Sequence, residues 1–167
     1  MATAERMQSP GGDLNLPDIA WKKFAIVVSE WNDAVTGSLF EGAFNTLIQS
    51  GVKKENIYRR DVPGSFELSL GAQLSASQDD IDAVICLGCV IRGETSHYEY
   101  ICQSVAQGLK DVALKFNKPV IFGVLTTDNK QQALDRAGGK YGNKGEESAM
   151  AAIKMLRLIK EYNKSKS

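Results

Sequence analysis

Residues 82–97 read Asp82-Ala83-Val84-Ile85-Cys86-Leu87-Gly88-Cys89-Val90-Ile91-Arg92-Gly93-Glu94-Thr95-Ser96-His97. The first ten are apolar almost without a break and rich in branched side chains, which predicts a strand over 82–91 buried on both faces. Strands of that kind belong to parallel sheets covered by helices on either side. The six polar residues that follow lead into a periodic segment, which predicts a long helix over 96–115.

The chain repeats this alternation in both directions. Upstream, Phe24-Ala25-Ile26-Val27-Val28 is a second doubly buried strand, and Val35, Leu39, Ala43, Phe44, Leu47 and Ile48 recur at helical spacing until Gly51. A weaker strand over 56–62 stops at Pro63-Gly64, and a helix starting near Phe66 carries Leu68, Leu70 and Leu74. Downstream, a strand over 119–125, a short helix over 128–137 and a final helix over 144–162 complete the pattern. The last helix has Glu146 and Glu147 in its first turn, Lys160 in its last, and Ala149, Ile153, Leu156 and Ile159 on one face. The expected fold is α/β: a three-layer α/β/α sandwich on a four-stranded parallel sheet, flavodoxin-like in plan.

Composition narrows the function classes. The 167 residues are 43% hydrophobic and 24% charged, which suits one globular domain over 21–167 preceded by a flexible N-terminal arm over 1–20. Twenty Lys+Arg balance twenty Asp+Glu, so no net field favours nucleic acid or an anionic membrane as partner. Residues 1–8 include Glu5 and Arg6 without an apolar stretch, and no apolar run reaches the ~20 residues of a membrane helix, so a cytoplasmic location is expected. Cys86, Cys89 and Cys102 make an odd count. Although Cys86 and Cys89 spell C-x-x-C, residues three apart on a strand face opposite sides, so these thiols are read as core and no metal site is expected.

In a sheet of this type ligands bind beyond the carboxyl ends of the strands. Those ends carry Ser29-Glu30-Trp31-Asn32, Pro63-Gly64-Ser65-Phe66-Glu67 and Phe122-Gly123-Val124-Leu125-Thr126-Thr127-Asp128. Rings mixed with hydrogen-bonding groups suit a flat polar heterocycle. Gly88 and Gly93 have Walker spacing and Thr95 follows, but Glu94 occupies the lysine position, which argues against a nucleotide-hydrolysing loop. A simpler anion site remains, in which the amides of Gly93, Glu94 and Thr95 and the Thr95 hydroxyl face a phosphate at a helix start. His97, the single histidine, falls in the first turn of that helix. A helix N-terminus disfavours a second positive charge, so the position suits an uncharged ring that accepts and returns a proton beside the anion.

Together these segments, with Arg136-Ala137-Gly138 and Gly142-Asn143-Lys144-Gly145, resemble the 6,7-dimethyl-8-ribityllumazine synthases from about Trp21 to the end of the chain. The resemblance implies condensation of 5-amino-6-(D-ribitylamino)uracil with 3,4-dihydroxy-2-butanone 4-phosphate, without cofactor or metal. It implies that the pyrimidine lies against Trp31 among Ser65, Phe66, Glu67, Cys89, Val90 and Ile91, with Glu67 on the ribityl hydroxyls. Glu94 and Thr95 would bind the phosphate, and His97 would move the protons. Phe122 and Arg136 would come from a neighbouring subunit, the ring stacking on the pyrimidine and the guanidinium completing the phosphate grip.

Such enzymes form homopentamers, and the short turn over 138–145 is similar to that of members in which twelve pentamers close an icosahedral shell. In that assembly the N-terminal arm would pair with a neighbour's sheet edge, and Ile101, Val105, Gly108 and Leu109 would pack around the fivefold axis. Two rivals remain at this level: an archaeal-type riboflavin synthase, which needs no phosphorylated substrate, and a flavin or lumazine carrier, for which His97 would be idle.

Overall fold

The computed structural model describes residues 16–165. Four strands, β1 (Phe24–Ser29), β2 (Ile57–Val62), β3 (Ala83–Ile91) and β4 (Val120–Thr127), form one parallel sheet in the order β2-β1-β3-β4. The principal helices are α1 (Asp33–Gln49), α2 (Leu68–Ala76), α3 (His97–Phe116), the short α4 (Lys130–Asp135) and α5 (Lys144–Lys164). This is the three-layer, flavodoxin-like arrangement expected.

The doubly buried strands explain the layers. Phe24, Ile26 and Val28 of β1 point into a core shared with Leu39, Leu47 and Ile153 of α1 and α5, while Ala25 and Val27 point into a core with Leu68, Ala72, Val105 and Leu109 of α2 and α3. Cys89 enters the first core and Cys86 the second, so the C-x-x-C cysteines do face opposite sides. The outer strand β2 instead exposes Arg59, Arg60 and Asp61, charges that suit a sheet edge.

Chain order sets the position of the cleft. From β1 the chain crosses by α1 on one face to β2, and from β3 it crosses by α3 on the other face to β4. The two connections leave in opposite directions, so the topological switch point lies between the carboxyl ends of β1 and β3.

Several details depart from the sequence expectations. Most of the expected arm over 1–20 lies outside the described residues, but Leu16 and Ile19 are buried in the α1/α5 core. Packing therefore begins before Trp21. β4 runs on to Thr127 because Thr126 and Thr127 pair with Val90 and Ile91. Between α4 and α5 stands a small antiparallel pair, β5 (Ala137–Gly139) and β6 (Gly142–Asn143), which the sequence reading took for a plain turn. Strands this short leave no apolar alternation; Gly138 at φ 98° and Gly142 at φ 86° supply the left-handed backbone they need. The proposed fivefold face of α3 is corrected as well: Val105 and Leu109 are fully buried within their own subunit, and Gly108 closes on Ser69 of α2.

Candidate active site

The switch point is held together by one asparagine. Asn32 adopts a left-handed backbone (φ 61°) at the start of α1, and its Nδ2 donates to the Cys89 carbonyl at 3.0 Å, joining the exits of β1 and β3. The Glu30 and Trp31 amides donate to the Val62 and Pro63 carbonyls at 2.9 and 3.3 Å, joining β1 to the exit of β2. Residues from three strand ends therefore share one rim.

On this rim Trp31 is 73% exposed and Phe66 55% exposed, so both rings present uncovered surface. Gly64 allows the close approach there. A Cβ on it would stand 3.1 Å from Glu67 Oε2 and 3.5 Å from Trp31 Cδ1, so carboxylate and indole meet over a bare backbone. The hydroxyls of Ser29 and Ser65 are buried without a hydrogen-bond partner among the described residues, and Ser65 Oγ packs against the bare backbone of Gly88. The Cys89 side chain is buried among α1/α5 residues, with its thiol pushed up to about 11 by burial, so any part it has at the rim falls to its backbone. Val90 and Ile91 are half-buried and reach the rim.

Beyond β3 the loop is open. The amides of Gly93, Glu94 and Thr95 donate to no acceptor among the described residues, and a Cβ on Gly93 would touch nothing within 4 Å. His97, the first residue of α3, donates its amide to Thr95 Oγ1 at a long 3.4 Å, while Ser96 makes no side-chain cap bond. Glu94, Thr95 and His97 are all exposed.

Phe122 and Arg136 do not join this group within the subunit. Phe122 sits five residues before the end of β4, opposite Cys86, and is not part of the strand's exit as the sequence reading had it. Trp31 is level with Val90 when the β1–β3 register is extended, two strands across the sheet from β4. At ~3.3 Å per residue and ~4.8 Å per strand, the backbones of the two residues are about 13 Å apart along the sheet and 10 Å across it. Arg136 closes α4 and gives its guanidinium to Glu147 of α5, Nη1 to Oε1 at 2.9 Å and Nη2 to Oε2 at 3.1 Å, while Nη1 also donates to the Tyr141 carbonyl at 2.7 Å. Lys144 Nζ lies 3.2 Å from the same carboxylate. Burial disfavours the Glu147 charge, but the two cations outweigh that and hold its carboxyl below the usual range.

Sequence reasoning missed Asn32, Glu147 and Gly64 as contributors. Only the glycine left a signal, standing beside Pro63 at a strand exit where a ring and a carboxylate follow.

A family model described as 6,7-dimethyl-8-ribityllumazine synthase matches residues 22–160. A relative of that name from Cytophaga hutchinsonii is 57% identical over 157 residues, spanning 93% of this chain and 98% of its own. Another, from Parabacteroides distasonis, is 52% identical over 158 residues, spanning 95% of this chain and 99% of its own. A match across both cores, the rim and the loop to His97 leaves one assignment, and the chain belongs to the 6,7-dimethyl-8-ribityllumazine synthase family.

Proposed function

We propose that the protein condenses 5-amino-6-(D-ribitylamino)uracil with 3,4-dihydroxy-2-butanone 4-phosphate to give 6,7-dimethyl-8-ribityllumazine, phosphate and water. The observation that carries this reading is the single histidine standing two residues past a loop of unpaired amides, beside exposed rings at the switch point. The pyrimidine stacks on Trp31, with Ser65, Phe66, Val90 and Ile91 around it and Glu67 on the ribityl hydroxyls. The phosphate sits on the amides of Glu94 and Thr95 and the Thr95 hydroxyl. The amine adds to the ketone and the carbinolamine loses a first water to give an imine, with His97 moving protons to and from the reacting atoms. Phosphate then leaves, and the ring closes with loss of a second water.

The reading extends to assembly. With Phe122 so far from Trp31 in its own subunit, a stacking role for that ring calls for the neighbour's copy, and Arg136 reaches a phosphate in the same way. A homopentamer with interfacial sites supplies both. Phe66, Leu70 and Leu74, at 55, 59 and 60% exposure and spaced one turn apart, form an apolar stripe that such contacts would cover. Twelve pentamers then close a shell. The cytoplasm suits the three free cysteines.

Mixing the protein with both substrates while following lumazine fluorescence and released phosphate tests the reaction, and sedimentation of the same sample tests the assembly. His97→Ala is expected to lower turnover by about 10²- to 10³-fold while leaving the sedimentation profile unchanged. Unchanged turnover would remove His97 from the proton relay, and a wild-type protein that binds lumazine without forming it would transfer the reading to a carrier.

A further inference from the structure

Arg92, the first residue beyond β3, has contacts that the proposed reaction leaves unused. Its guanidinium serves three partners on separate segments. Nε donates to Asp128 Oδ1 at 3.0 Å in the loop before α4, Nη1 pairs with Glu99 in the first turn of α3, and the central carbon lies 4.2 Å from the centroid of the Tyr98 ring. Tyr98 and Glu99 are the two residues that follow His97. The Arg92 amide donates to the Thr127 carbonyl at 2.8 Å, so the clamp is anchored where β3 and β4 end together.

Stability does not account for this arrangement. The Arg92, Glu99 and Asp128 side chains are 45, 46 and 66% exposed, and ion pairs in that setting contribute little to folding. The start of α3, by contrast, needs restraint. Ser96 forms no cap bond, the Thr95 bond to the His97 amide is long, and Gly93 gives the loop no side chain to pack. A helix end without a cap frays, and a fraying turn would carry the imidazole with it. A planar guanidinium bonds in two directions while stacking in a third, which an ammonium cannot do.

We propose that Arg92 is the positioning residue for His97: it clamps the first turn of α3 to the exits of β3 and β4 and so holds the imidazole over the phosphate-binding amides. The inference rests on the reading of the site given above.

The experiment compares Arg92→Gln and Arg92→Lys, each in the wild-type and His97→Ala backgrounds. It reads kcat, KM for both substrates, and amide hydrogen exchange over residues 97–100. Arg92→Gln is expected to lower kcat by about tenfold or more, with KM for the pyrimidine changed less than about twofold, because a displaced group costs rate before affinity. Lysine is not expected to rescue, and exchange over 97–100 should quicken. In the His97→Ala background Arg92→Gln is expected to cost less than about twofold, since a residue acting through His97 has nothing left to act on. Equal losses in both backgrounds, full activity with lysine, or an effect confined to KM would each overturn the proposal. Asp128→Asn, which removes one arm of the clamp, is expected to give a smaller loss with the same dependence on His97, should Arg92→Gln fail to assemble. A wild-type protein that makes no lumazine would sink the functional reading, while unchanged exchange in Arg92→Gln would sink the clamp by itself.

Discussion

Gly145→Ala tests how α5 is seated on α1. Gly145 is the second residue of α5, and a Cβ there would stand 1.8 Å from the Leu39 carbonyl oxygen and 2.7 Å from its carbon. Real Cβ atoms stay beyond 3.0 Å, so the first turn of α5 must retreat by the difference, about 1.2 Å. Leu39 is in mid-helix and the obstacle is backbone, so no side-chain rotation relieves the overlap. The retreat also stretches two bonds through Asn143, which accepts from the Gly145 amide at 2.8 Å and donates to the Ser38 carbonyl at 3.0 Å. Overpacking of this kind costs about 1–3 kcal/mol and a weakened hydrogen bond about 1 kcal/mol, so a loss near 3 kcal/mol is expected. For a chain of 167 residues this corresponds to a Tm lower by roughly 6–12 °C. Thermal unfolding followed by near-ultraviolet circular dichroism, at matched protomer concentration because assembly adds to stability, measures it. Gly37→Ala in α1 is the control. A Cβ on Gly37 meets nothing within 4 Å, and alanine favours the helix by up to ~1 kcal/mol, so its Tm should hold or rise. A Gly145→Ala Tm within about 2 °C of wild type would refute the seating argument.

Three further outcomes follow from the same geometry. Gly88→Ala would place a Cβ 2.6 Å from Ser65 Oγ and 2.9 Å from Leu68 Cδ1, shifting the Ser65–Glu67 turn. Lumazine affinity measured by fluorescence titration should weaken by about tenfold or more, and an intact Kd would count against the turn as a binding element. Arg136→Ala is expected to raise KM mainly for the phosphorylated substrate, because a charge-assisted contact is lost; a KM equal to wild type would remove the residue from the phosphate grip. Glu147→Gln tests the pH response. The Glu147 carboxyl lies below its ordinary 4.5 when folded, so the folded state binds fewer protons; its contribution is complete above that value and fades as pH falls through the lowered one. The variant should therefore have a lower Tm at pH 7 and a flatter acid limb below about pH 5, and superimposable acid limbs would contradict the assignment.

The strands most legible in the chain were those buried on both faces. β1 and β3 are continuous apolar runs because both sides meet core, and water leaves no polar alternation in them. The loop from Arg92 to His97 was legible for a related reason, since a polar insertion between a buried strand and an amphipathic helix has few uses other than a site. β5 and β6 could not be read, because a pair so short is set by glycine backbone and by its bonds to Ser38 of α1, which donates to the Ala137 carbonyl and accepts from Asn143 Nδ2.

The order of apolar and polar residues by itself determined the layers, the parallel sheet and the strand ends at which chemistry would gather, because burial is a local demand written into each segment. Only the tertiary structure decided which of those ends meet. Strand order put β1 beside β3 and left Phe122 on β4 too far from Trp31, and the carboxylate partners of Arg92 and Arg136, seven to thirty-six positions away, were set by packing. A charged side chain declares its sign in the sequence, but the group that neutralises it is chosen by which elements the core brings within 3 Å or so.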